Sequence, residues 1–362
     1  MNKKNFPAIS LLCLFAASAV PIHSAYAQAS QISPDWTSVD FDFFNLTQAT
    51  VNPVMTASMV TDRSNVSYVA SPFLYRQNAT WYMFFEVNLG GVYPNVPSDI
   101  GLATSTDGLN WTYGQIVLDE PFHLGNPHVF NYNGTYYMIP ETFTENQVRL
   151  YKASNFPYNW TFVSALVSGS PFFDATIFQY GSTWWMYTTV GEAMTNLYYS
   201  ANLTDPSSWY YHPMNPVNSD NSSARSAGRV IVFNGTKIIR LAENNNVSYG
   251  YSVRAFQVDT LNTTSYQEHE VSQSPLIQAS GIGWNKDGMH HIDPWWTGER
   301  WIAAVDGVNY GASNNWSIGI YSTPVVIPEF TSIALLAFMM VLSSVAIIGK
   351  LRLKNLKTPL RR

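Results

Sequence analysis

Charge and cysteine are both scarce in this chain. Charged residues make up 12% of the 362 residues, about half the usual share, whereas aromatic residues make up 15%. A disordered chain has the opposite balance, so the composition excludes disorder and favours a large β-rich core. The single cysteine, Cys13, lies in an apolar segment near the N-terminus. The body of the protein is therefore predicted to form no disulfide and to use no thiol chemistry.

Basic residues are also scarce outside the two ends. Residues 28–330 carry 24 acidic side chains against 11 basic ones. Nucleic-acid binding needs a basic face that neutralises phosphates, so an acidic body argues against it. The residues after Gly349 include six Lys and Arg and no acidic residue. Basic residues therefore exceed acidic ones only at the two ends of the chain, and this excess calls for a different explanation.

The N-terminal segment has the pattern of an export signal. Residues 1–27 start with a lysine pair, continue with a mostly apolar stretch and end in a small-x-small site whose last residue is Ala27. This order predicts a signal peptide cleaved after Ala27, with a buried helix as the alternative. Asn-x-Ser/Thr sequons in the body then predict a glycoprotein. Their asparagines are Asn45, Asn65, Asn78, Asn110, Asn133, Asn159, Asn202, Asn221, Asn234, Asn246, Asn262 and Asn315.

The C-terminal segment has the pattern of a membrane anchor. Residues 331–349 contain no charge and precede a basic tail at residues 350–362. This predicts one transmembrane helix with a cytoplasmic tail, and a buried core helix is the alternative. The protein is then a single-pass type I protein of the cell membrane, with its body, residues 28–327, outside the cell. The helix and tail resemble the C-terminal surface-sorting tails of archaeal exported proteins. This resemblance implies an alternative in which the helix is processed or exchanged and is not kept in the mature protein.

A repeated phrase organises the body. Residues 126–141 are typical of an apolar strand, a turn at Asn133-Gly134 and an aromatic strand ending in Glu141. Asn-Gly between two β-forming runs is a strong hairpin signal. Five phrases of this kind occur, and their second strands align at Tyr82, Tyr137, Trp185, Ile238 and Ile302.

The spacing of the phrases predicts an all-β fold, a five-bladed β-propeller. Further strand-like pieces lie between the phrases, for example at residues 101–105 and 197–201. They bring each repeat to four strands, the number in one propeller blade. A β-sandwich is the main rival, but it does not explain five phrases at similar spacing.

The repeat also predicts a polar cluster at one mouth of the central channel. The first strand of each phrase begins there, and the second strand runs back antiparallel, so its last residues return to the same end. Carboxylates beside arginines and aromatic rings in a concave site suit glycosidic chemistry, in which one carboxyl group is an acid and another a base or nucleophile. The predicted members are Glu86, Asn126, His128, Glu141, Asp174, Arg225, Arg229, His290 and Asp293.

Several of these residues have structural alternatives. Asp293 could cap a turn, and Glu86 and Glu141 could be partners of ion pairs between blades. His128 is explained equally well as a hydrogen-bonded core histidine. Asp174 is flanked by apolar residues and is harder to explain as a surface residue.

The histidine pair does not indicate a metal site, and the tryptophan pairs need no functional explanation. His290 and His291 lack a third spaced ligand, so we predict neither a metal site nor a cofactor. The tryptophan pairs at 184–185 and 295–296 are better explained as core residues than as platforms for sugars.

Six motifs carry a resemblance to a known family. They are residues 136–141 (Tyr-Tyr-Met-Ile-Pro-Glu), 148–153 (Val-Arg-Leu-Tyr-Lys-Ala), 156–160 (Phe-Pro with a final Trp), 173–176 (Phe-Asp-Ala-Thr), 212–217 (His-Pro-Met-Asn-Pro-Val) and 224–228 (Ala-Arg-Ser-Ala-Gly). Residues 69–268 resemble the propeller domain that precedes the transferase domain in glucosamine inositolphosphorylceramide transferases. More distantly, they are similar to five-bladed glycoside hydrolases that act on arabinofuranosides and xylosides. The resemblance covers the propeller, so it implies no transferase activity.

The hydrolase resemblance implies three carboxylates: a base, a tuning aspartate and an acid. Asp174 matches the tuning aspartate, and Glu141 is the best available acid. The base position falls at Ser71, where the hydrolases carry aspartate, and serine cannot act as that base. Asp293 is the candidate substitute.

Two functional hypotheses follow. The first is a cell-surface glycosidase-like propeller acting on a carbohydrate or glycolipid, with Glu141 and Asp174 as catalytic residues and Glu86 and Arg225 orienting the sugar. The second is a non-catalytic glycan-binding or envelope protein, which the serine at position 71 favours. The enzyme hypothesis requires two of the predicted carboxylates to face one cavity.

Overall fold

The computed structural model describes residues 35–36, 45–91, 96–191, 193–233, 235–311 and 316–324. Regular structure in these ranges is β-strand apart from four short 3₁₀ helices at Ala57–Met59, Phe143–Glu145, Pro206–Ser208 and Gly283–Asn285. The predicted signal peptide and transmembrane helix lie outside the described residues, as do the sequons at Asn234 and Asn315. Of the helices within those ranges, none is long and apolar enough to cross a membrane.

The strands form five sheets that follow one another along the chain. Two short strands come first, β1 (Asp35–Trp36) and β2 (Thr47–Gln48). Blade 1 consists of β3 (Tyr68–Gln77), β4 (Thr80–Asn88), β5 (Ser98–Ser105) and β6 (Thr112–Leu118). Blade 2 consists of β7 (Gly125–Tyr132), β8 (Thr135–Glu141), β9 (Gln147–Asn155) and β10 (Asn159–Ser168). Blade 3 consists of β11 (Phe172–Tyr180), β12 (Thr183–Val190), β13 (Met194–Ser200) and β14 (Tyr210–Tyr211).

The last two blades each recruit a strand from the start of the chain. Blade 4 consists of β15 (Ile231–Phe233), β16 (Lys237–Asn244), β17 (Ser252–Leu261), β18 (Tyr266–Glu270) and β19 (Ile277–Gln278), with β1 alongside β15. Blade 5 consists of β20 (Ile292–Trp296), β21 (Trp301–Val308), β22 (Trp316–Ser322) and β2. The five-bladed propeller predicted from the repeat is thereby confirmed.

Blade 5 closes the ring with strands from both ends of the described chain. β2 pairs antiparallel with β22 as its outermost strand. Asn52 continues this pairing, because its side chain accepts the N–H of Ile320 at 2.8 Å and donates to the carbonyl of Ile320 at 3.0 Å. Covering an edge strand in this way satisfies backbone groups that would otherwise be open to association.

The hairpins and the core follow the sequence pattern. In the turn between β7 and β8, Asn133 has φ 51° and Gly134 has φ 79°, the left-handed pair that a tight hairpin turn requires. Trp184, Trp185 and Trp295 are buried. Their interpretation as core residues is correct.

The first strand in each of blades 1–3 has an irregular start. The pairing with the second strand shifts register between residues 70 and 73, 125 and 128, and 173 and 176. Ser71, Asn126 and Asp174 lie at these bulges and have φ of 50°, 40° and 48°. Such angles are uncommon for residues other than glycine, and backbone outliers of this kind cluster at functional sites.

Candidate functional site

The three bulged residues meet at one mouth of the ring. Ser71, Asn126 and Asp174 line a narrow cavity of about 50 Å³, which we call the recess. Glu86 and Glu141, from the ends of β4 and β8, line it as well. Its volume holds a few water molecules or one substituent of a ligand, but no complete sugar ring. The other lining residues are Tyr68, Ala70, Arg225, Tyr249, His290 and Trp316.

The recess brings together carboxylates from three blades. Glu86, Glu141 and Asp174 face the same cavity, and each is between 7% and 8% exposed. The condition that the enzyme hypothesis sets is therefore met. Among the residues that the structure describes, no group of three or more His, Cys, Asp or Glu could hold a metal ion.

Glu141 is stabilised as an anion. Its Oε2 accepts the backbone N–H of Asp174 at 2.8 Å, and its Oε1 lies 3.4 Å from Nε2 of His123. Burial raises the pKa of Glu141, but His123, Arg225 and the N–H together lower it below its ordinary value. Burial lowers the pKa of His123, but Glu141 and Glu86 raise it to about 9. At neutral pH this pair is therefore an ion pair.

Asp174 has the opposite electrostatic environment. Burial raises its pKa well above the ordinary value, and the negative charges of Glu141 and Glu243 act in the same direction. Arg225 opposes them, because its Nε and Nη2 donate to Oδ2 of Asp174 at 2.8 and 2.6 Å. The Nε of Arg225 is also 3.7 Å from Glu243, so two carboxylates share one cation. Asp174 is consequently the carboxyl group better suited to carrying a proton.

Glu86 faces the recess, accepts its hydrogen bonds from neutral groups and lies near the charged His123. Its Oε1 accepts hydrogen bonds from Ser98 at 3.0 Å, Asn88 at 3.3 Å and the Tyr68 hydroxyl at 3.4 Å. A Cβ at Gly125 would approach Oε2 of Glu86 to 3.1 Å, so the glycine leaves room for this carboxylate. Within the described ranges, no lysine or arginine forms an ion pair with Glu86.

His290 forms another wall of the recess. It stacks on Trp316 with 4.1 Å between ring centroids, and its Nδ1 lies 2.7 Å from Oδ2 of Asp306. The same oxygen accepts the backbone N–H of Ser71 at 2.9 Å. Burial lowers the pKa of His290, but Asp306 raises it to about 9. Asp306 thus joins blade 5 to the bulge of blade 1.

Three residues that were predicted to lie at the mouth, His128, Arg229 and Asp293, lie away from the recess. Their predicted position was wrong. His128 is fully buried, and its Nδ1 lies 3.3 Å from the backbone nitrogen of Ile177, which fits the alternative of a core histidine. Arg229 and Asp293 form a buried ion pair. Asp293 also accepts the N–H of Leu74 at 2.6 Å, so it cannot replace the missing base at the mouth.

The misplacement of Asp293 has a local cause. The first strands of blades 1–3 are bulged, whereas β20 pairs regularly with β21 from Ile292 to Trp296. A bulge adds one residue to a strand and changes the face on which its side chains lie. The sequence alignment matched Asp293 to Ser71, but without a bulge in β20 Asp293 lies in the core. His290 lies at the mouth in this blade.

Two carboxylates near the site, Asp306 and Glu243, were not predicted from the sequence. Glu86 and Glu141 each follow the aligned residue of their second strand by four positions, and the same spacing in blade 5 gives Asp306. Glu243 comes one position later in blade 4. The repeat therefore carried a signal for Asp306. The other missed lining residues, Tyr68, Tyr249 and Trp316, lie outside the repeated phrases, and His123, the partner of Glu141, does so too.

A wider cavity, which we call the vestibule, adjoins the recess. Its volume is about 650 Å³, and it shares Arg225 and Tyr249 with the recess. The guanidinium carbon of Arg225 lies 5.3 Å from the ring centroid of Phe173 and 5.5 Å from that of Tyr249. This volume is typical of small-molecule sites. The remaining lining residues are Pro171, Gly191, Asn221 and Asn245.

Comparison with known sequences gives a family. Residues 45–308 match the family described as glucosamine inositolphosphorylceramide transferase 1, N-terminal. Proteins named glucosamine inositolphosphorylceramide transferase 1 from Oryza sativa subsp. japonica and Arabidopsis thaliana are each 34% identical to the chain, over 269 and 271 residues. These matches cover 71% of this chain but 35% and 34% of the relatives. The chain thus spans about a third of the length of the curated relatives that it matches.

Comparison with solved structures gives the same fold. The catalytic domain of the Coprinopsis cinerea GH62 α-L-arabinofuranosidase has a TM-score of 0.57 at 12% identity, covering 74% of this chain and 95% of the other. A putative glycosidase from Bacteroides thetaiotaomicron has a TM-score of 0.59 at 13% identity, covering 79% and 99%. At these identities the likeness shows the fold alone. The sequence match spans most of the chain, and on that ground the chain belongs to the family of the N-terminal domain of glucosamine inositolphosphorylceramide transferase 1.

Proposed function

We propose that this propeller binds a carbohydrate at its mouth and hydrolyses a glycosidic bond there. One observation carries the proposal: Asp174 and Glu141 share the recess, and their surroundings move their pKa values in opposite directions. Carboxyl groups separated in this way supply the acid and the anion that glycoside hydrolysis requires. The glycosidase-fold neighbours are consistent with this chemistry.

We assign the catalytic roles on the basis of these contacts. Asp174, whose pKa is raised, protonates the leaving oxygen. Glu86 accepts hydrogen bonds from Tyr68, Asn88 and Ser98 at Oε1, and its Oε2 activates a water molecule. Both oxygens of Glu141 are engaged, so its charge stabilises the positive transition state. This exchanges the roles expected from the sequence, in which Glu141 was the acid.

The charge of the site favours a sugar that bears an amino group. Besides Asp174, which carries a proton in this proposal, the carboxyl groups of Glu86, Glu141, Glu243 and Asp306 surround the recess, whereas the cations beside them are Arg225, His123 and His290. A protonated amine would balance part of the remaining negative charge. The names of the curated relatives contain glucosamine, so we place amino sugars first among the candidate substrates.

A second candidate function is glycan binding without cleavage. Ser71 lines the recess, and the sequence resemblance to the hydrolases implies that it occupies their base position. If Glu86 does not activate water, the site retains a sugar without hydrolysing it. Export and attachment to the cell membrane, proposed from residues 1–27 and 331–349, would place either function outside the cell.

Hydrolysis assays on the full-length chain separate the two functions. We would measure kcat on 4-nitrophenyl glycosides and on disaccharides of pentoses, hexoses and hexosamines, and measure binding of the methyl glycosides by calorimetry. Asp174→Asn should lower kcat on a disaccharide by about 10²-fold or more, because the poor leaving group needs a proton. On the nitrophenyl glycoside, whose leaving group needs none, the loss should be much smaller.

The remaining outcomes are distinct. Glu86→Gln should lower kcat on both kinds of substrate, whereas the exposed control Asp259→Asn should change neither. Binding without turnover in the wild-type chain would establish the second function in place of the first. A wild-type chain that neither binds nor cleaves any of these sugars would refute both.

A further inference from the structure

We infer that the vestibule is a subsite for a second sugar ring, so that the substrate contains at least two linked rings. This inference rests on the proposed function and extends it outward from the recess. The recess is too small for a complete ring, and the vestibule, at about 650 Å³, has more room than one ring needs. Because the cavities meet at Arg225 and Tyr249, a disaccharide can place one ring at this boundary, with a substituent of that ring in the recess and the second ring farther out in the vestibule.

Two aromatic side chains give the vestibule rigid apolar walls. Tyr249 is 45% exposed, yet its ring packs against His290 at 5.5 Å and Trp316 at 6.1 Å between centroids. Phe173 stacks on Phe143 at 5.0 Å. Rings fixed in this way need no reordering when a ligand binds, so the apolar face of a sugar can pack on them at little entropic cost.

Asn221 supplies the polar group of the vestibule. Its backbone carbonyl accepts the N–H of Asn245 at 3.1 Å, which fixes its position. The side chain of Asn245 is already engaged, accepting from Gly250 at 2.6 Å and donating to Glu243 at 3.0 Å. The side-chain amide of Asn221 makes no hydrogen bond to the other described residues, so its two donors and its oxygen are available to sugar hydroxyls.

The charges of the vestibule argue against an anionic ligand. Arg225 is the only cation that lines it among the described residues, and this guanidinium already binds Asp174 and approaches Glu243. A phosphate or carboxylate would meet a cation whose charge Glu243 already balances. A neutral ring bearing hydroxyl groups is therefore the class of ligand that fits.

The subsite also requires Asn221 to remain without a glycan. Asn221 begins a sequon, and an attached glycan would fill the cavity that it lines. In the folded protein Ser222 is 7% and Ser223 is 4% exposed. The sequon is thus largely enclosed by the structure, in keeping with an unmodified Asn221.

Calorimetry on the full-length chain tests the subsite, with methyl glycosides of hexoses and hexosamines as one-ring probes and the matching disaccharides as two-ring probes. The wild-type chain should bind the best disaccharide at least about 10-fold more tightly than its methyl glycoside. Asn221→Ala should weaken the disaccharide by about 3- to 10-fold. Asn221→Trp, which reduces the room for the second ring, should remove the preference, and neither variant should change binding of the methyl glycoside, whose one ring lies beside Arg225 and Tyr249.

Asn246→Ala is the matched control, because Asn246 also begins a sequon and is exposed but does not line the vestibule. It should bind both probes like the wild-type chain. Equal affinities of the wild-type chain for both probes would overturn the subsite and leave the proposed function intact. So would a loss of methyl glycoside binding in Asn221→Trp. A wild-type chain that binds no sugar and cleaves none would refute the proposed function, and the inference with it.

Discussion

Single residues at the mouth are organised as histidine–carboxylate pairs. His123 pairs with Glu141 and His290 with Asp306, and all four side chains are buried. Each pair is stable only while both members are charged, because removing one charge leaves the other buried without compensation. The protonation of the two histidines therefore contributes to folding stability as well as to the electrostatics of the recess.

Stability should fall as the pH rises from 6.5 to 9. The pKa of His123 and that of His290 are each raised from 6.5 to about 9 in the folded chain. Their contribution is fully present below pH 6.5 and is lost as pH rises through 9, on the order of 3 kcal/mol for each histidine. Urea unfolding monitored by fluorescence between pH 6 and 9.5 would measure this decline.

His123→Gln should remove about half of the decline, since it leaves the pair of His290 intact. The control His269→Gln replaces an exposed histidine and should leave the slope unchanged. A free energy of unfolding that stays constant over this pH range would show that the buried pairs are not ionic.

At the scale of strands, the sequence could predict elements that depend on local patterns. The Asn133-Gly134 turn and the alignment of the second strands follow from residue type and spacing. The alignment also predicted that Glu86 and Glu141 lie at the mouth. The bulges could not be predicted, because one inserted residue leaves no periodic signal, yet it decides which face a side chain occupies. The position of Asp293 was wrong for this reason.

Carboxylates at the ends of second strands also hold neighbouring blades together. Glu141 of β8 accepts the N–H of Asp174 in blade 3 at 2.8 Å, and Asp306 of β21 accepts the N–H of Ser71 in blade 1 at 2.9 Å. Both contacts fix a bulge that lines the recess. The carboxylates at the ends of the second strands thus join the blades and also shape the recess. Substituting them should lower the stability of the fold as well as any activity.

Asp306→Asn should destabilise the fold by about 3–5 kcal/mol. The carboxylate accepts the N–H groups of Ser71, His290 and His291 and binds the His290 ring, and an amide would turn its own N–H groups toward some of these donors. Urea unfolding would measure the loss. Asp259→Asn, at an exposed pair, should change stability by about 0.5 kcal/mol or less. A similarly small effect at Asp306 would contradict its role in joining the blades.

At the scale of the whole molecule, three blades meet at one buried ion pair. Arg229 precedes blade 4 and Asp293 belongs to blade 5, and both bind the backbone of Leu74 in blade 1. The Leu74 N–H donates to Asp293 at 2.6 Å, and its carbonyl accepts from Arg229 at 2.7 Å. The pairing of β2 with β22 closes the outside of the ring, and the Arg229–Asp293 ion pair connects blades in its interior. Arg229 and Asp293 therefore have a structural role in place of the sugar contacts expected from the sequence.

A double-mutant cycle on this pair should be strongly non-additive. Arg229→Met leaves Asp293 charged and buried at 0% exposure, so it should destabilise the ring by about 3–5 kcal/mol. Asp293→Leu should do the same to Arg229, whereas the double variant buries no charge and should be more stable than either single variant by about 1 kcal/mol or more. The free energies of unfolding of all four chains in urea give the coupling directly. If the two losses add, the two charges do not stabilise each other, and each side chain acts only through its own hydrogen bond to Leu74.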